Sequence, residues 1–263
     1  MKRLILLALC GLLLLSLAAC TREQAPVPAD HVISHRGASG EEPEHSWSAY
    51  DLAVAYGSKY IEQDLVLSMD GTLYVSHDKK ATRMTGDPRA FSKMTDEEID
   101  ALRTADGQPI LRMTEVLARY ETSVCYVTEL KSGQELLDAF LSLVRQSGLP
   151  ETQFIVQAWD PEVLRQLEEA FPDMPKLYLL EEQGRIAPVL EDDWVDIVAV
   201  SVPLMTAENC AAVHAAGKQF CVWTLNSVEE IKKAIDMGVD LYFTNFTAKA
   251  LLLEERYRKE IHE

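Results

Sequence analysis

The chain has 263 residues, 48% of them hydrophobic, which is enough for one large domain or two small ones. Lys and Arg number 25 against 42 Asp and Glu, so the formal charge is −17. That balance argues against a nucleic-acid partner, because phosphates are repelled and no basic run is present.

The first segment in chain order is a targeting sequence, set aside from the fold. "MKR" is a basic start and "LILLALCGLLLLSLA" an apolar stretch. It ends in "LAAC", which resembles the bacterial lipoprotein signal. Residues 1–19 are expected to be removed and Cys20 to carry lipid. The alternative is an ordinary secretory signal with Cys20 incidental. The polar, Pro-containing stretch that follows, to residue 30, reads as a lipidated tether. The expected location is therefore extracytoplasmic, lipid-anchored to a bacterial membrane. Cys125, Cys210 and Cys221 form an odd set without C-x-x-C spacing and read as buried free thiols.

From residue 31 onward, β-rich runs alternate with amphipathic helical patterns. The expected strands are "HVISH", "YIEQDLVL", "SVCYVTEL", "TQFIVQAW", "PKLYLL", "DIVAVSV", "KQFCVWTL" and "VDLYFTN". Ser46 is placed to cap one helix, which stops near Gly57, and Asp160–Pro161 to open another. About eight β-then-α units with continuously apolar strands predict an α/β fold, a (β/α)8 TIM-type barrel over 31–263. An open doubly wound sheet is disfavoured, since no G-x-G-x-x-G follows the first strand. "YIEQDLVLSMDGTLYVSHD" reads as a strand extended by a hairpin, and a short insert follows it at about 79–110. Within the insert, Thr95 and Glu98 are spaced as a capping box.

Polar residues gather at the strand ends, where such barrels place their active sites. They are His35 and Arg36 after strand one, Glu62 and Asp64 on strand two, His77 after its hairpin, and Glu129 and Lys131 on the next strand. Residues two apart on a strand share a face, so Glu62 and Asp64 both look inward. Two unit charges about 4 Å apart repel by roughly 4 kcal/mol at an effective dielectric near 20. A trio of inward carboxylates is stable only with protons or a cation, and a hard divalent ion, Ca²⁺ or Mg²⁺, suits oxygen ligands. Arg36 and Lys131 suit phosphate oxygens, and His35 with His77 suits an acid–base pair. Together these describe phosphodiester cleavage. Any one of these residues alone more often is a solvated charge or a cap; their convergence is the signal. His31, His214 and His262 are read as structural, and His45 stays undecided.

"HRG", then "E-x-D", "HD" and "E-x-K", resembles the glycerophosphodiester phosphodiesterase family, as do "VQAWDPEVLRQL", "VWTLN" and "GVDLYFTN". The resemblance implies a metal-dependent barrel enzyme with Glu62, Asp64 and Glu129 as ligands of Ca²⁺ or Mg²⁺. It implies His35 and His77 as the catalytic pair, and Arg36, Lys131 and Glu44 at the phosphate. The insert would form a shallow cap. The chain departs from the family pattern at His45, at Ala158 and Trp159, and in its closing "TNF". Trp223 and Trp159 fall near strand ends, where they either wall the pocket or pack under helices. The expected partner is a small glycerophosphodiester or a glycerol-phosphate polymer, released as glycerol phosphate and an alcohol. A lysophospholipase D-type enzyme and a non-catalytic glycerol-phosphate-binding lipoprotein are the alternatives.

Overall fold

"YIEQDLVL" (β2, Tyr60–Leu67) is buried at seven of its eight positions. A strand with so little exposure has to be covered on both faces. The computed structural model, which describes residues 30–131 and 133–262, shows one face turned into a barrel and the other under helices. The expected signal segment, Cys20 and nearly all of the tether lie outside the described residues.

The other strands are β1 (Val32–Ser34), β3 (Leu73–Val75), β4 (Cys125–Glu129), β5 (Phe154–Ala158), β6 (Lys176–Leu180), β7 (Ile197–Ser201), β8 (Gln219–Trp223) and β9 (Leu241–Thr244). Among the described residues, all but β3 pair in parallel, and β1 bonds to both β2 and β9, which closes the barrel. β3 pairs antiparallel with β2 as its hairpin extension. The barrel and its hairpin are as the sequence predicts.

Local signals hold as well. Ser46 accepts the Ala49 amide at the start of helix Trp47–Ala55. Asp160 caps Pro161–Ala170. Ser227 and Glu230 form a capping box that opens Val228–Met237, and that helix ends on Gly238 in the left-handed region (φ 76°). Each such cap contributes on the order of 1 kcal/mol.

The barrel interior is apolar at its lower layers, where Ile33, Tyr60, Cys125, Val127, Ile155, Leu177, Ile197 and Cys221 interlock. A second apolar layer lies between strands and helices. Burial pushes the Cys125 thiol up to about 12, so it stays protonated and inert, as expected of a free core cysteine. No helix among the described residues is long and apolar enough to cross a membrane.

The insert departs from expectation. Rather than capping the barrel mouth, it folds on a small core of its own, with Val66, Tyr74, Ala81, Phe91, Met94, Ile99 and Ile110 packed together. None of its residues lines the central cavity. Its apolar side chains cover Val66 and Tyr74, on the face of the β2–β3 hairpin that continues the Glu62–Asp64 face beyond the barrel, and that fixes it beside the mouth.

Candidate active site

Register brings the acidic residues together. Asp64 on β2 lies opposite Glu129 on β4, which lies opposite Gln157 on β5. Adjacent strands run about 4.8 Å apart, so these three side chains stand side by side on the inner wall. Glu62 sits one layer below and is 1% exposed, as is Asp64.

Each carboxylate has its own partners. Glu62 accepts the Arg36 backbone amide (2.8 Å) and the Gln157 side-chain amide (3.2 Å). Burial, and then the charge of Asp64, push Glu62 well above the usual carboxylate range. Burial pushes Asp64 up too, but the bond from His45 and the charges of Lys131 and Arg36 outweigh it and hold Asp64 low. Lys131 Nζ donates to Asp64 (3.1 Å) and to Glu129 (2.9 Å). Glu129 is nevertheless raised, by burial and by Asp64. One ammonium thus serves two carboxylates and leaves the third to neutral donors.

The loop after β1 shapes the other side. Arg36 (φ 58°) and His45 (φ 55°) both occupy the left-handed region, which costs a non-glycine residue roughly 1–2 kcal/mol. That turn aims the Arg36 amide at Glu62. Between them Gly37 (φ 83°) lies so close to the next helix that a Cβ would stand 2.7 Å from the Ala49 carbonyl carbon. Arg36 Nε is buried without a hydrogen-bond partner, its nearest charge being Asp64 at 3.6 Å.

His45 resolves into a definite place. Its Nε2 lies 3.0 Å from Asp64 Oδ2, and its Nδ1 lies 2.8 Å from the Tyr50 hydroxyl. Burial pulls its basicity down despite the bond to Asp64. A neutral ring has one N–H, which belongs on Nε2 facing the carboxylate, and the one Tyr50 hydroxyl proton lies between His45 Nδ1 and the Glu62 carbonyl oxygen (3.1 Å).

One group among the described residues brings its donors close enough to hold a cation. His45, Glu62 and Asp64 present donors within 4.8 Å of one another. Yet His45 is enclosed and absent from the cavity wall, which Glu62, Asp64 and Glu129 all line. Glu62, Asp64 and Glu129 are therefore the carboxylates open to a ligand in the cavity. His45 stands behind Asp64 and fixes it through the Nε2 bond.

The cavity has a volume of about 350 Å³ and is also lined by His35, His77, Trp159, Leu179, Trp223 and Phe243. His35 Nδ1 meets Asn245 Oδ1 at 2.7 Å. Burial, and then the Arg36 charge, push His35 down to about 4, so it is neutral near pH 7. His77 Nδ1 meets Asp78 Oδ1 at 2.8 Å. Each ring thus spends Nδ1 on the protein. Trp159 and Trp223 meet edge to face at 5.5 Å on the wall, the first of the two placements open to them. Glu44 stands back from the cavity, bonded to Arg36 and Arg83.

Sequence reading missed Gln157, Asn245 and the place of His45. Gln157 carried a signal, as a polar residue at an inward position of an otherwise apolar strand. His31 and His214 both bond to Asp240, away from the cavity, and His262 has no described side chain.

Residues 35–249 match the glycerophosphoryl diester phosphodiesterase family. A glycerophosphodiester phosphodiesterase of Bacillus subtilis is 27% identical over 243 residues, covering 81% of this chain and 83% of the relative. One from Bacillus altitudinis is 26% identical, over 86% and 99% of the two chains. In fold, the chain is similar to an Oleispira antarctica phosphodiesterase solved with its product sn-glycerol-3-phosphate. That likeness has a TM-score of 0.77 at 21% identity, over 86% and 97% of the chains. The chain belongs to the glycerophosphoryl diester phosphodiesterase family.

Replacing His45 tests its place behind Asp64. His45→Phe fills the space but removes the bonds to Asp64 Oδ2 and to Tyr50. The first loss leaves a buried carboxylate oxygen without its donor, at about 1–3 kcal/mol, while the Tyr50 hydroxyl keeps the Glu62 carbonyl (3.1 Å). Urea denaturation should show a lower midpoint at unchanged m-value. An unshifted midpoint would show that the ring does not carry these bonds.

Proposed function

We propose that this family member hydrolyses glycerophosphodiesters to glycerol phosphate and an alcohol. Substrates in view are deacylated phospholipids or the glycerol-phosphate polymers of a cell wall. The observation that carries the reading is the register of Asp64 with Glu129 beneath a cavity walled by two imidazoles and Arg36. The names of the Bacillus relatives support the same activity.

The residues fit a hard divalent cation, Ca²⁺ or Mg²⁺. Glu62, Asp64 and Glu129 offer oxygen donors, and burial together with the charge of Asp64 drives Glu62 and Glu129 toward holding a proton. Bound there, the cation supplies a Lewis acid beside the phosphate oxygens. Arg36 and Lys131 line the cavity as two cations suited to the phosphate oxygens. His35, neutral and fixed through Asn245, takes the proton of the attacking oxygen at Nε2. His77, fixed through Asp78, gives a proton from Nε2 to the oxygen of the departing alcohol as its bond to phosphorus breaks. Trp159 and Trp223 face the alcohol part. Glu44 acts on the phosphate site through Arg36.

Glu62→Gln, Asp64→Asn and Glu129→Gln each keep volume and shape while removing charge. Each should lower turnover of a glycerophosphodiester by at least ~10²-fold while the barrel still folds, a loss of about 2.7 kcal/mol. Excess EDTA should do the same to the native chain, with recovery on adding Ca²⁺ or Mg²⁺. Full turnover in EDTA would refute the cation.

The location proposed is the outer face of a bacterial membrane, with lipid on Cys20 as anchor; the support is "LAAC" after an apolar stretch. Cys20→Ser should abolish incorporation of labelled fatty acid and release the chain from membranes. Continued labelling would place the anchor elsewhere.

A further inference from the structure

A chain of alternating charges runs behind the cavity from Arg36 to His77. Arg36 Nη1 donates to Glu44 Oε2 (3.2 Å), and Arg83 Nη2 donates to Glu44 Oε1 (2.7 Å). Arg83 Nε donates to Asp78 Oδ2 (2.5 Å), and Asp78 Oδ1 meets His77 Nδ1 (2.8 Å). The links come from separate parts of the chain. Glu44 lies in the loop after β1, Asp78 follows the hairpin, and Arg83 belongs to the short insert helix Thr82–Thr85.

A carboxylate held through one oxygen can swing about its own side-chain torsions. Asp78 is held through both, one on the imidazole and one on the guanidinium. Arg83 is itself fixed, because its second branch is bonded to Glu44. Only a planar fork can reach two carboxylates in two set directions; a lysine is a single point charge. Pinning Asp78 keeps Nδ1 of His77 occupied and turns Nε2 over for chemistry.

We propose that Arg83 is a positioning residue for the phosphodiester cleavage proposed above, acting through Asp78 on the orientation of the His77 ring. The assignment rests on that reading of the cavity. It gives the insert a purpose other than covering the mouth, since the insert carries the clamp that holds the acid.

Arg89 supplies an internal control. It lies in the same insert, is exposed to a similar degree (43% against 46%) and also binds two carboxylates, Asp87 and Glu98. Its partners reach no residue of the cavity. Exposed ion pairs contribute about 0–1 kcal/mol each, so loss of either arginine should affect stability alike.

The test uses the full-length protein and a glycerophosphodiester substrate. Arg83→Ala should lower kcat at least about tenfold with KM little changed, since small misplacements of a reacting group cost rate. Arg83→Lys should recover only part of the loss, and Arg89→Ala should leave kcat unchanged. Arg83→Ala combined with Asp78→Asn should be no slower than Asp78→Asn alone, because the two residues act in series. Nitrogen-15 NMR of the histidines gives a readout independent of turnover. At a pH where the ring is neutral, His77 should carry its proton on Nδ1 in the native protein and divide it between both nitrogens in Arg83→Ala. An unchanged kcat, multiplied losses in the double variant, or an unchanged His77 spectrum would each overturn the proposal. A native protein that cleaves no diester would refute the proposed function, while the His77 spectrum would still decide whether Arg83 fixes the ring.

Discussion

Parallel pairing of β2 with β4 sets Asp64 directly against Glu129, with Glu62 one layer beneath, on a wall almost closed to water. Three like charges so placed repel one another and lose hydration, and nearly every polar feature of the mouth answers that repulsion. Lys131 reaches across two of the three. The left-handed turn at Arg36 offers an amide to Glu62, Gln157 offers another, and His45 stands behind Asp64. None of these groups is needed to build a barrel. The apolar layers below supply the core of the barrel.

The same crowding sorts the two histidines. His35 lies deep, beside Arg36, and burial with that charge keeps it neutral although its partner is an amide oxygen. His77 lies nearer solvent on the hairpin extension, and its partner is a carboxylate tied to the insert. Different surroundings for like side chains make different proton tasks natural within one cavity. The insert, which could have been a lid, works instead as a buttress at the side of the hairpin.

Much of this was legible in the sequence, for physical reasons. Strands such as "IVAVS" carry their burial in composition, and capping residues such as Ser46, Asp160 and Ser227 mark helix starts locally. Two-residue spacing on a strand fixes a shared face, which is why Glu62 and Asp64 could be placed inward before any coordinates. What the sequence hid were contacts set by closure. Asn245 reaches His35 only because β9 returns beside β1, 210 positions later. His45 depends on a backbone turn with positive φ, which no propensity for histidine foretells. The position of the insert depends on Phe91, Met94 and Ile99 meeting Val66 and Tyr74, a tertiary contact that its length could not decide.

Cation-dependent stability tests the central claim most directly. The measurement is the denaturation midpoint of chelated protein across added Ca²⁺ or Mg²⁺. If the buried carboxylates form a cation cradle, stability should rise with the logarithm of cation concentration. The gain should approach about 2.7 kcal/mol at a hundred times the dissociation constant. A variant combining Glu62→Gln, Asp64→Asn and Glu129→Gln should show no rise. A native midpoint that stays fixed at every cation concentration would contradict the account.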